Sequence, residues 1–408
     1  MKQKRIIILA VETSCDDTGI AILKAPKTSN FSAYGGPVEG WKVLSNIVSS
    51  QVKIHKKYGG VYPMLAKREH QQNLPLVLTK ALKESKLLKI SNSQFLIPKQ
   101  IQNPKFKILK KILEREEKLY GKLTQFLAKY KKPEVDLIAV TQGPGLEPCL
   151  WVGVNFAKAL SLFWDIPIVP INHIEAHILV NFVDSKSQFK IQNSFPAVCL
   201  VVSGGHTQLI LMKNIGKYKI IGETKDDAAG ECFDKCAKIL GLGYPGGPAI
   251  AAEAAKFQIS NFKFQIKLPR PMINTKDYDF SFSGLKTAVL YHHKKQSVKT
   301  QKSKEYIMQM CFQTQQAIID VLLKKTTKAA KDYKAKTIIL GGGVSANQEL
   351  RKQLKEKIEK EIPNTKYLIP NTKYSTDNAL MIAITGYFHK TKTKDWKKLK
   401  AKANLRIS

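Results

Sequence analysis

Four stretches of the chain share one pattern: a short apolar run rich in β-branched residues, followed by a turn of small or polar residues. Each run has the length and composition of a buried strand. Two of the turns lead into a second apolar run, which predicts a strand, a tight turn and a returning strand. The other two lead into helix-like segments. The four apolar runs are residues 6–11, 137–140, 197–202 and 337–340.

The two strand–turn–strand patterns lie about half a chain apart, which predicts a duplicated α/β architecture with a cleft between the halves. We place the first half at residues 1–190 and the second at 191–408, with its C-terminal segment returning towards the first half. Residues 84–133 are dense in Lys and contain a helical stretch near 108–130. We interpret them as a solvated helical insertion on the first half, and residues 24–42 as a second, shorter insertion.

The composition supports a folded protein. The chain has 408 residues, of which 43% are hydrophobic and 24% are charged, so it can bury a core and does not resemble a disordered chain. No stretch approaches the roughly 20 apolar residues of a membrane span. The cysteines are scattered through the chain, as in reduced intracellular proteins. We therefore expect a cytoplasmic enzyme or binding protein without a membrane partner.

The net charge predicts a polyanionic partner. The chain has 67 Lys and Arg against 32 Asp and Glu, a formal net charge of +35. Such an excess is typical of proteins that bind nucleic acid. Nearly all of these cations are Lys, so compositional bias explains part of the excess. The lysines of residues 84–133 are the first candidates for RNA contacts.

A pair of histidines forms the clearest candidate metal site. His173 and His177 are four residues apart, so on a helix both rings reach a single ion. Glu175 lies on the opposite face of such a helix, which argues against the zinc-protease mechanism. A third ligand is needed, and Asp377, just ahead of an apolar helix, is the candidate.

Two glycine loops are candidates for phosphate binding. Residues 203–207 and 341–347 each follow an apolar strand, and glycine lets backbone N–H groups approach a phosphate closely. The second loop also opens onto a predicted helix, whose N-terminus favours anions. Asp234 could accept a hydrogen bond from a ribose hydroxyl, and the turn at 244–248 offers backbone to a sugar or base. Each feature alone is equally typical of a plain turn, loop or helix residue.

Eleven motifs in the same order resemble the TsaD family of tRNA threonylcarbamoyladenosine transferases, in its bacterial form. The resemblance covers nearly the whole chain outside the two insertions, with departures at Met64, at Glu147 and Pro148, and at Ala251. The matching stretches are residues 11–18, 55–70, 143–145, 172–177, 202–207, 233–235, 244–248, 270–272, 279–287, 342–347 and 377–378.

The resemblance implies an actin-like fold, related to sugar kinases and the Hsp70 ATPase, with two RNase H-like lobes. It implies that His173, His177 and Asp377 hold one divalent metal ion, Fe²⁺ in most descriptions of the family, with Zn²⁺ as the alternative. It also implies that Asp16 acts in catalysis. The implied substrate-binding residues are Val202, Ser203, Gly204, Gly205, His206, Asp234, Gly247 and Asn347.

The resemblance further implies the reaction. The threonylcarbamoyl group of threonylcarbamoyl-adenylate is transferred to N6 of adenosine 37, in the anticodon arm of tRNAs that read codons starting with A, and AMP is released. The expected protein partners are a TsaB-like scaffold relative and a small TsaE-like ATPase. Two alternatives remain on the same fold: a small-molecule kinase, which needs no histidine pair, and a non-catalytic scaffold, which lacks the pair.

Overall fold

The computed structural model describes residues 4–27, 40–91, 104–183, 194–258 and 266–408. Most of the shorter predicted insertion and residues 92–103 of the longer one lie outside these ranges. The chain forms two compact units that are discontinuous in sequence. The first unit comprises Met1–Gln51, Val61–Gln192 and Asp377–Arg406, and the second comprises Val52–Gly60, Asn193–Thr376 and Ile407–Ser408.

The first unit contains a five-stranded sheet in the order β3-β2-β1-β4-β5. Strands β1, β2 and β3 are antiparallel neighbours, while β1, β4 and β5 run parallel. The central strands are almost wholly apolar and buried, as expected for strands covered on both faces. The strands are β1 (Arg5–Glu12), β2 (Asp17–Pro26), β3 (Lys42–Ser50), β4 (Leu137–Gly143) and β5 (Ile168–Asn172).

The second unit repeats this design. Its sheet has the order β10-β9-β6-β7-β8, so β6 pairs antiparallel with β7 and parallel with β9, as β1 pairs with β2 and β4. The predicted duplication of an α/β fold is confirmed by this shared strand order. The strands are β6 (Ala197–Val202), β7 (Thr207–Asn214), β8 (Lys217–Glu223), β9 (Thr337–Gly341) and β10 (Lys366–Leu368).

Helices connect and cover the strands. Those of the first unit are α2 (Pro63–Glu84), α3 (Pro104–Ile112), α4 (Glu117–Lys129), α5 (Glu147–Trp164), α6 (His173–Leu179) and α13 (Ala379–Phe388). Those of the second are α1 (Val52–His55), α7 (Ala229–Ile239), α8 (Gly246–Gln258), α9 (Ser283–Lys294), α10 (Val298–Gln301), α11 (Lys304–Asp332) and α12 (Gln348–Glu361). Short 3₁₀ turns are Lys56–Tyr58, Val180–Phe182, Gly343–Ala346, Thr372–Tyr374 and Trp396–Lys398. Within the described ranges, no helix has the length and apolar character to cross a membrane.

The longer insertion differs from its prediction as a solvated helical arm. The expected helix near 108–130 is two helices, α3 and α4, separated at residues 113–116. Both helices bury an apolar face in the core of the first unit, with side chains that include Phe106, Leu109, Leu123 and Phe126. The interpretation as a solvated arm was wrong because the Lys-rich composition masked an apolar stripe at helical spacing.

Candidate functional site

The predicted metal ligands come together at the carboxyl end of the first sheet. His173 is the first residue of α6, directly after β5, and the side chain of Asn172 caps that helix by accepting hydrogen bonds from two backbone N–H groups. Asp377 precedes α13, whose N-cap is Asn378. Because the cap fixes where α6 begins, the His173 and His177 rings face the same side, one turn apart.

The three ligand atoms form a nearly regular triangle. Nε2 of His177 lies 3.1 Å from Nε2 of His173 and 3.1 Å from Oδ1 of Asp377, and Nε2 of His173 lies 3.4 Å from that oxygen. Metal bonds of about 2.1 Å place neighbouring ligand atoms roughly 3.0–3.4 Å apart. Both histidines are buried, whereas the Asp377 side chain is 22% exposed. The triangle therefore fits one ion, with its solvent-accessible side at the carboxylate.

The charges also fit a cation. Burial alone would lower the pKa of His173, but the carboxylates of Glu12 and Asp377 overcome this and raise that pKa to about 10. Burial likewise opposes ionisation of Asp377, yet the two histidines hold its pKa well below its usual value. Two imidazole nitrogens 3.1 Å apart can share only one proton. A divalent ion that replaces this proton would satisfy all three ligands together.

Glu12 supports the candidate site from behind, and the sequence interpretation missed this role. It is the last residue of β1 and is fully buried. Its Oε2 lies 3.1 Å from Nδ1 of His173 and accepts a 2.6 Å hydrogen bond from Thr141 Oγ1 on the neighbouring strand β4. A carboxylate behind a histidine orients that ring and strengthens it as a ligand. The signal in the sequence was a lone acid ending an otherwise apolar strand.

Glu175 has a separate partner. Both of its carboxylate oxygens lie 2.9 Å from Nε2 of His389, just beyond the end of α13. Glu175 is buried, and its partner His389 is not one of the candidate metal ligands. The geometric argument against the zinc-protease mechanism therefore agrees with the structure.

Asp16 lies in the turn between β1 and β2 and is partly buried. His70 on α2 holds this turn, because its ring lies 2.8 Å from Thr18 Oγ1 and 2.9 Å from the carbonyl of Cys15. Burial raises the pKa of the neighbouring Asp17 to about 7, and the charge of Asp16 contributes to that rise. The turn thus carries several acidic groups in a restrained conformation.

The first glycine loop forms the tight turn between β6 and β7. Ser203 N donates to the carbonyl of His206, and His206 N donates to Ser203 Oγ, which closes the turn that follows Val202. A Cβ on Gly204 or Gly205 would contact nothing within 4 Å. Their exposed backbone is therefore open to a ligand.

The second glycine loop follows β9, beside the end of β6. Gly342 has φ +85° and packs so closely on the carbonyl of Val202 that a Cβ would overlap it. We expected this loop to open directly onto a helix N-terminus. Instead, a 3₁₀ turn at Gly343–Ala346 lies between the loop and the helix. The Asn347 side chain then caps α12 by accepting from Leu350 N and donates to Gln315 Oε1. The helix N-terminus is thus satisfied by the protein itself.

Asp234 lies within α7, and Gly247 lies in the first turn of α8, where the two helices meet. Oδ1 of Asp234 accepts a 2.7 Å hydrogen bond from Gly246 N. A Cβ on Gly246 would lie 2.5 Å from the Asp234 Cα, so glycine is needed for the helices to approach this closely. Gly247 has open space beside it, with the nearest side-chain atom at 4.0 Å. This places the predicted residues of the 233–235 and 244–248 motifs in one local structure.

The motif at 279–287 is held by an acid that the sequence interpretation did not single out. The Asp226 carboxylate accepts hydrogen bonds from the backbone N–H groups of Phe282 and Ser283 and from the hydroxyls of Ser281 and Ser283. Asp226 lies between β8 and α7, so it ties this motif to the loop that connects these two elements. These hydrogen bonds hold the backbone at the start of the motif.

Comparisons with known proteins agree with these features. The family model for TsaD, described as tRNA N6-adenosine threonylcarbamoyltransferase, matches residues 42–91 and 118–384. A relative of the same name from Thermosipho africanus is 41% identical over 98% of this chain and 100% of its own. Others from Syntrophomonas wolfei and Porphyromonas gingivalis are each 38% identical, and over 90% of both chains is covered in each pair.

A solved structure supports the fold. The chain resembles full-length HypF, determined in a phosphate- and nucleotide-bound form, with a TM-score of 0.50 and 13% identity. The match covers 95% of this chain and 47% of that chain. At this identity the likeness concerns the fold alone. The family match and the near-complete coverage of curated relatives show that the chain belongs to the TsaD family of tRNA N6-adenosine threonylcarbamoyltransferases.

Proposed function

We propose that this protein transfers the threonylcarbamoyl group of threonylcarbamoyl-adenylate to N6 of adenosine 37 in tRNAs that read codons starting with A, with release of AMP. The observation that carries the proposal is the triangle of His173, His177 and Asp377 at the end of the first sheet, in a chain of this family. Neither alternative, a kinase or a non-catalytic scaffold, requires this triangle. A TsaB-like scaffold, a TsaE-like ATPase and a cytoplasmic location belong to the same proposal.

The three residues of the triangle would hold one divalent ion. Two histidines and one carboxylate on one face of an ion, with further positions open, are typical of Fe²⁺ sites, and we propose iron ahead of zinc. The ion would supply Lewis-acid polarisation of the threonylcarbamoyl carbonyl and a fixed position for that group. Glu12 keeps Nδ1 of His173 protonated, so that Nε2 of this ring faces the ion.

The loops of the second unit are proposed to bind the adenylate part of the donor. Open backbone at Gly204 and Gly205 suits the phosphate, whose departing charge N–H groups can stabilise. Asp234 and Gly247 are proposed to bind the ribose and the base edge. Val202, Ser203, His206 and Asn347 complete the proposed set by shaping the two loops.

Asp16 is proposed to accept the proton that N6 loses when it attacks the carbonyl. The exocyclic amine of adenine is a weak nucleophile, so a base near it lowers the barrier. In the balanced reaction, the N6–C bond forms, the C–O bond to the phosphate breaks, and AMP leaves. His70 and Thr18 act as positioning residues for the turn that carries Asp16.

The test is to purify the protein, determine its metal content, and measure transfer of labelled threonylcarbamoyl from supplied donor to an unmodified tRNA transcript. His173→Ala should lose bound metal and transfer together. His292→Ala, which removes a histidine outside the site, is the matched control and should retain both. Full transfer by metal-free protein would contradict the role given to the triangle.

A further inference from the structure

The C-terminal basic segment, defined as residues 390–406, carries the highest local charge in the described chain outside the insertion. It holds eight Lys or Arg and one acid, Asp395. Asp395 is occupied as a cap, since its carboxylate accepts a hydrogen bond from Lys397 N. The exposed cations are Lys392, Lys394, Lys397, Lys398, Lys400, Lys402 and Arg406.

The general excess of Lys in the chain does not by itself explain this concentration of cations with few acids. Helix α12 of the second unit is also rich in Lys, but it contains five cations and four glutamates. Two of its lysines pair with acids on the same helix, Lys355 with Glu359 at 3.8 Å and Lys357 with Glu361 at 2.6 Å. Within the described ranges, Lys398, Lys400 and Lys402 have no such ion pair. The basic segment therefore presents charge that its own protein leaves unbalanced.

The segment is held in place through its backbone. Lys394 N donates to the carbonyl of Ile168 at the start of β5, and Gln142 at the end of β4 binds the segment twice, through the Lys400 carbonyl and the Lys402 N–H, each at 2.8 Å. Leu399 is fully buried beneath it. Because the backbone is fixed, the exposed lysines extend from fixed positions, here called the row, and less backbone entropy is lost when a partner binds.

The row ends beside the candidate metal centre. Gly145 N donates to the Ala403 carbonyl, and a Cβ on Gly143 would overlap the carbonyl of Lys402. The same loop contacts Ser14, whose carbonyl accepts from Leu146 N and whose Oγ lies 3.5 Å from Oδ2 of Asp377. The basic segment is thus connected to the metal triangle through the loop at residues 143–146 and through Ser14.

Like charges crowd where the segment crosses α5. Burial lowers the pKa of Lys158, and the nearby Lys400 ammonium lowers it further. Repulsion of this kind is relieved when a polyanion neutralises the row. The lowered pKa of Lys158 agrees with a row that binds a polyanion. The exposed lysines and the fixed backbone support that conclusion independently of this pKa.

We propose that residues 390–406 bind the phosphate backbone of the tRNA next to the adenosine that is modified. The inference rests on the proposed function, since a reactive adenosine at the metal triangle brings its neighbouring phosphates towards the end of this row. RNA phosphates repeat along a chain, as the Lys side chains repeat along the segment. The family model ends at residue 384, so the segment lies outside the matched pattern.

The test uses the full chain and an unmodified tRNA transcript. The variant combines Lys398→Gln, Lys400→Gln and Lys402→Gln, and a control combines Lys352→Gln, Lys355→Gln and Lys360→Gln on α12, which removes the same net charge. Binding is measured by fluorescence anisotropy over a series of salt concentrations. We expect the test variant to bind tRNA about tenfold more weakly, with a salt slope lower by about 2. The control should bind within about twofold of wild type.

Three outcomes separate a failure of the tRNA-docking proposal from a failure of the proposed function. An unchanged salt slope in the test variant, or an equal fall in the control, would overturn the docking proposal while wild-type transfer remained intact. Wild-type protein that binds tRNA through these lysines but transfers nothing would instead overturn the proposed function. Vesicles containing phosphatidylglycerol that bind through the same lysines, with tRNA binding unaffected, would assign the row to a lipid surface. Metal content and thermal unfolding of both variants confirm that they are folded.

Discussion

The carboxyl edges of the two sheets share one strand order but carry chemically opposite groups. At the first edge, β1 ends in Glu12 and β5 is followed directly by His173, and both side chains are buried and ionisable. At the second edge, β6 and β9 lead into glycine turns, and the backbone of Gly204 and Gly205 after β6 is exposed. Both edges follow the same strand order, so the difference lies in the residues that follow each strand.

This difference indicates how the two units of a duplicated fold can bind ligands of opposite charge. Buried charged side chains stabilise a cation at fixed positions, but their desolvation raises the free energy of the folded state when the ion is absent. Open glycine backbone provides N–H groups for an anion without a side chain in the way, at little cost to stability. The comparison predicts that substitutions at the first edge change metal binding, whereas those at the second change nucleotide affinity.

The largest expected effect is that of His173→Ala, which removes one ligand of three. We expect loss of stoichiometric metal and a fall in transfer of about 10³-fold or more, because the Lewis acid and its template are lost together. Metal analysis and single-turnover transfer check this. The comparison would fail if the variant kept its metal and lost only affinity for the adenylate.

Next in size is Glu12→Gln, which leaves the ligands in place but removes the carboxylate behind His173. We expect metal affinity to fall about 10–100-fold. Competition with a chelator measures it. Glu116→Gln is the matched control, since Glu116 is also buried and contacts Asn155 and Lys67 rather than a candidate ligand. Equal losses in both variants would show a general effect of buried acids.

A smaller effect is expected from Gly204→Ala in the second unit. The added methyl group meets no protein atom within 4 Å, so the fold should tolerate it, but it would obstruct a phosphate at the backbone. We expect donor affinity to fall about tenfold with unchanged metal content. Gly121→Ala, on the exposed face of α4, is the control and should leave affinity unchanged. Normal donor binding by Gly204→Ala would remove this loop from the proposed site.

The smallest expected effect is on the free energy of unfolding, through Asp17 at the start of β2. Burial raises the pKa of Asp17 from 3.8 to about 7, so the folded state holds a proton that the unfolded chain has released. The stability of the metal-free protein should therefore fall as the pH rises from about 4 to 7, and change little above that.

Asp17→Asn removes this dependence. We expect the variant to be more stable than wild type at pH 8 by about 1 kcal/mol, a discounted value because Asp17 is partly exposed, and equal to it near pH 4. Urea unfolding at the two pH values measures the difference. A gain of the same size at both values would mean that titration of Asp17 is not its cause.

Much of the site could be predicted from local pattern. The spacing of His173 and His177 fixes their common face once a helix forms, and the helix follows from the Asn172 cap. Glycine after a strand likewise predicts the open backbone found at Gly204 and Gly205, but not the close packing of Gly342 on Val202. Glu12 was missed because a single acid at the end of a strand has no periodic signal. The Asn347 side chain is used as a helix cap, which the glycine-loop pattern alone did not reveal.

The sequence by itself determined the duplicated α/β design, the histidine pair and the glycine loops, because each depends on residues close together in the chain. The sequence named Asp377 as a ligand candidate, and the tertiary structure places it 3.1 Å from His177. Tertiary structure alone decided that Glu12 lies behind His173 and that the basic segment lies against Gly143–Gly145. It also decided that the Lys-rich helices α3 and α4 pack on the core. Such contacts depend on strand order and on burial, which bring together residues far apart in sequence and which no local pattern encodes.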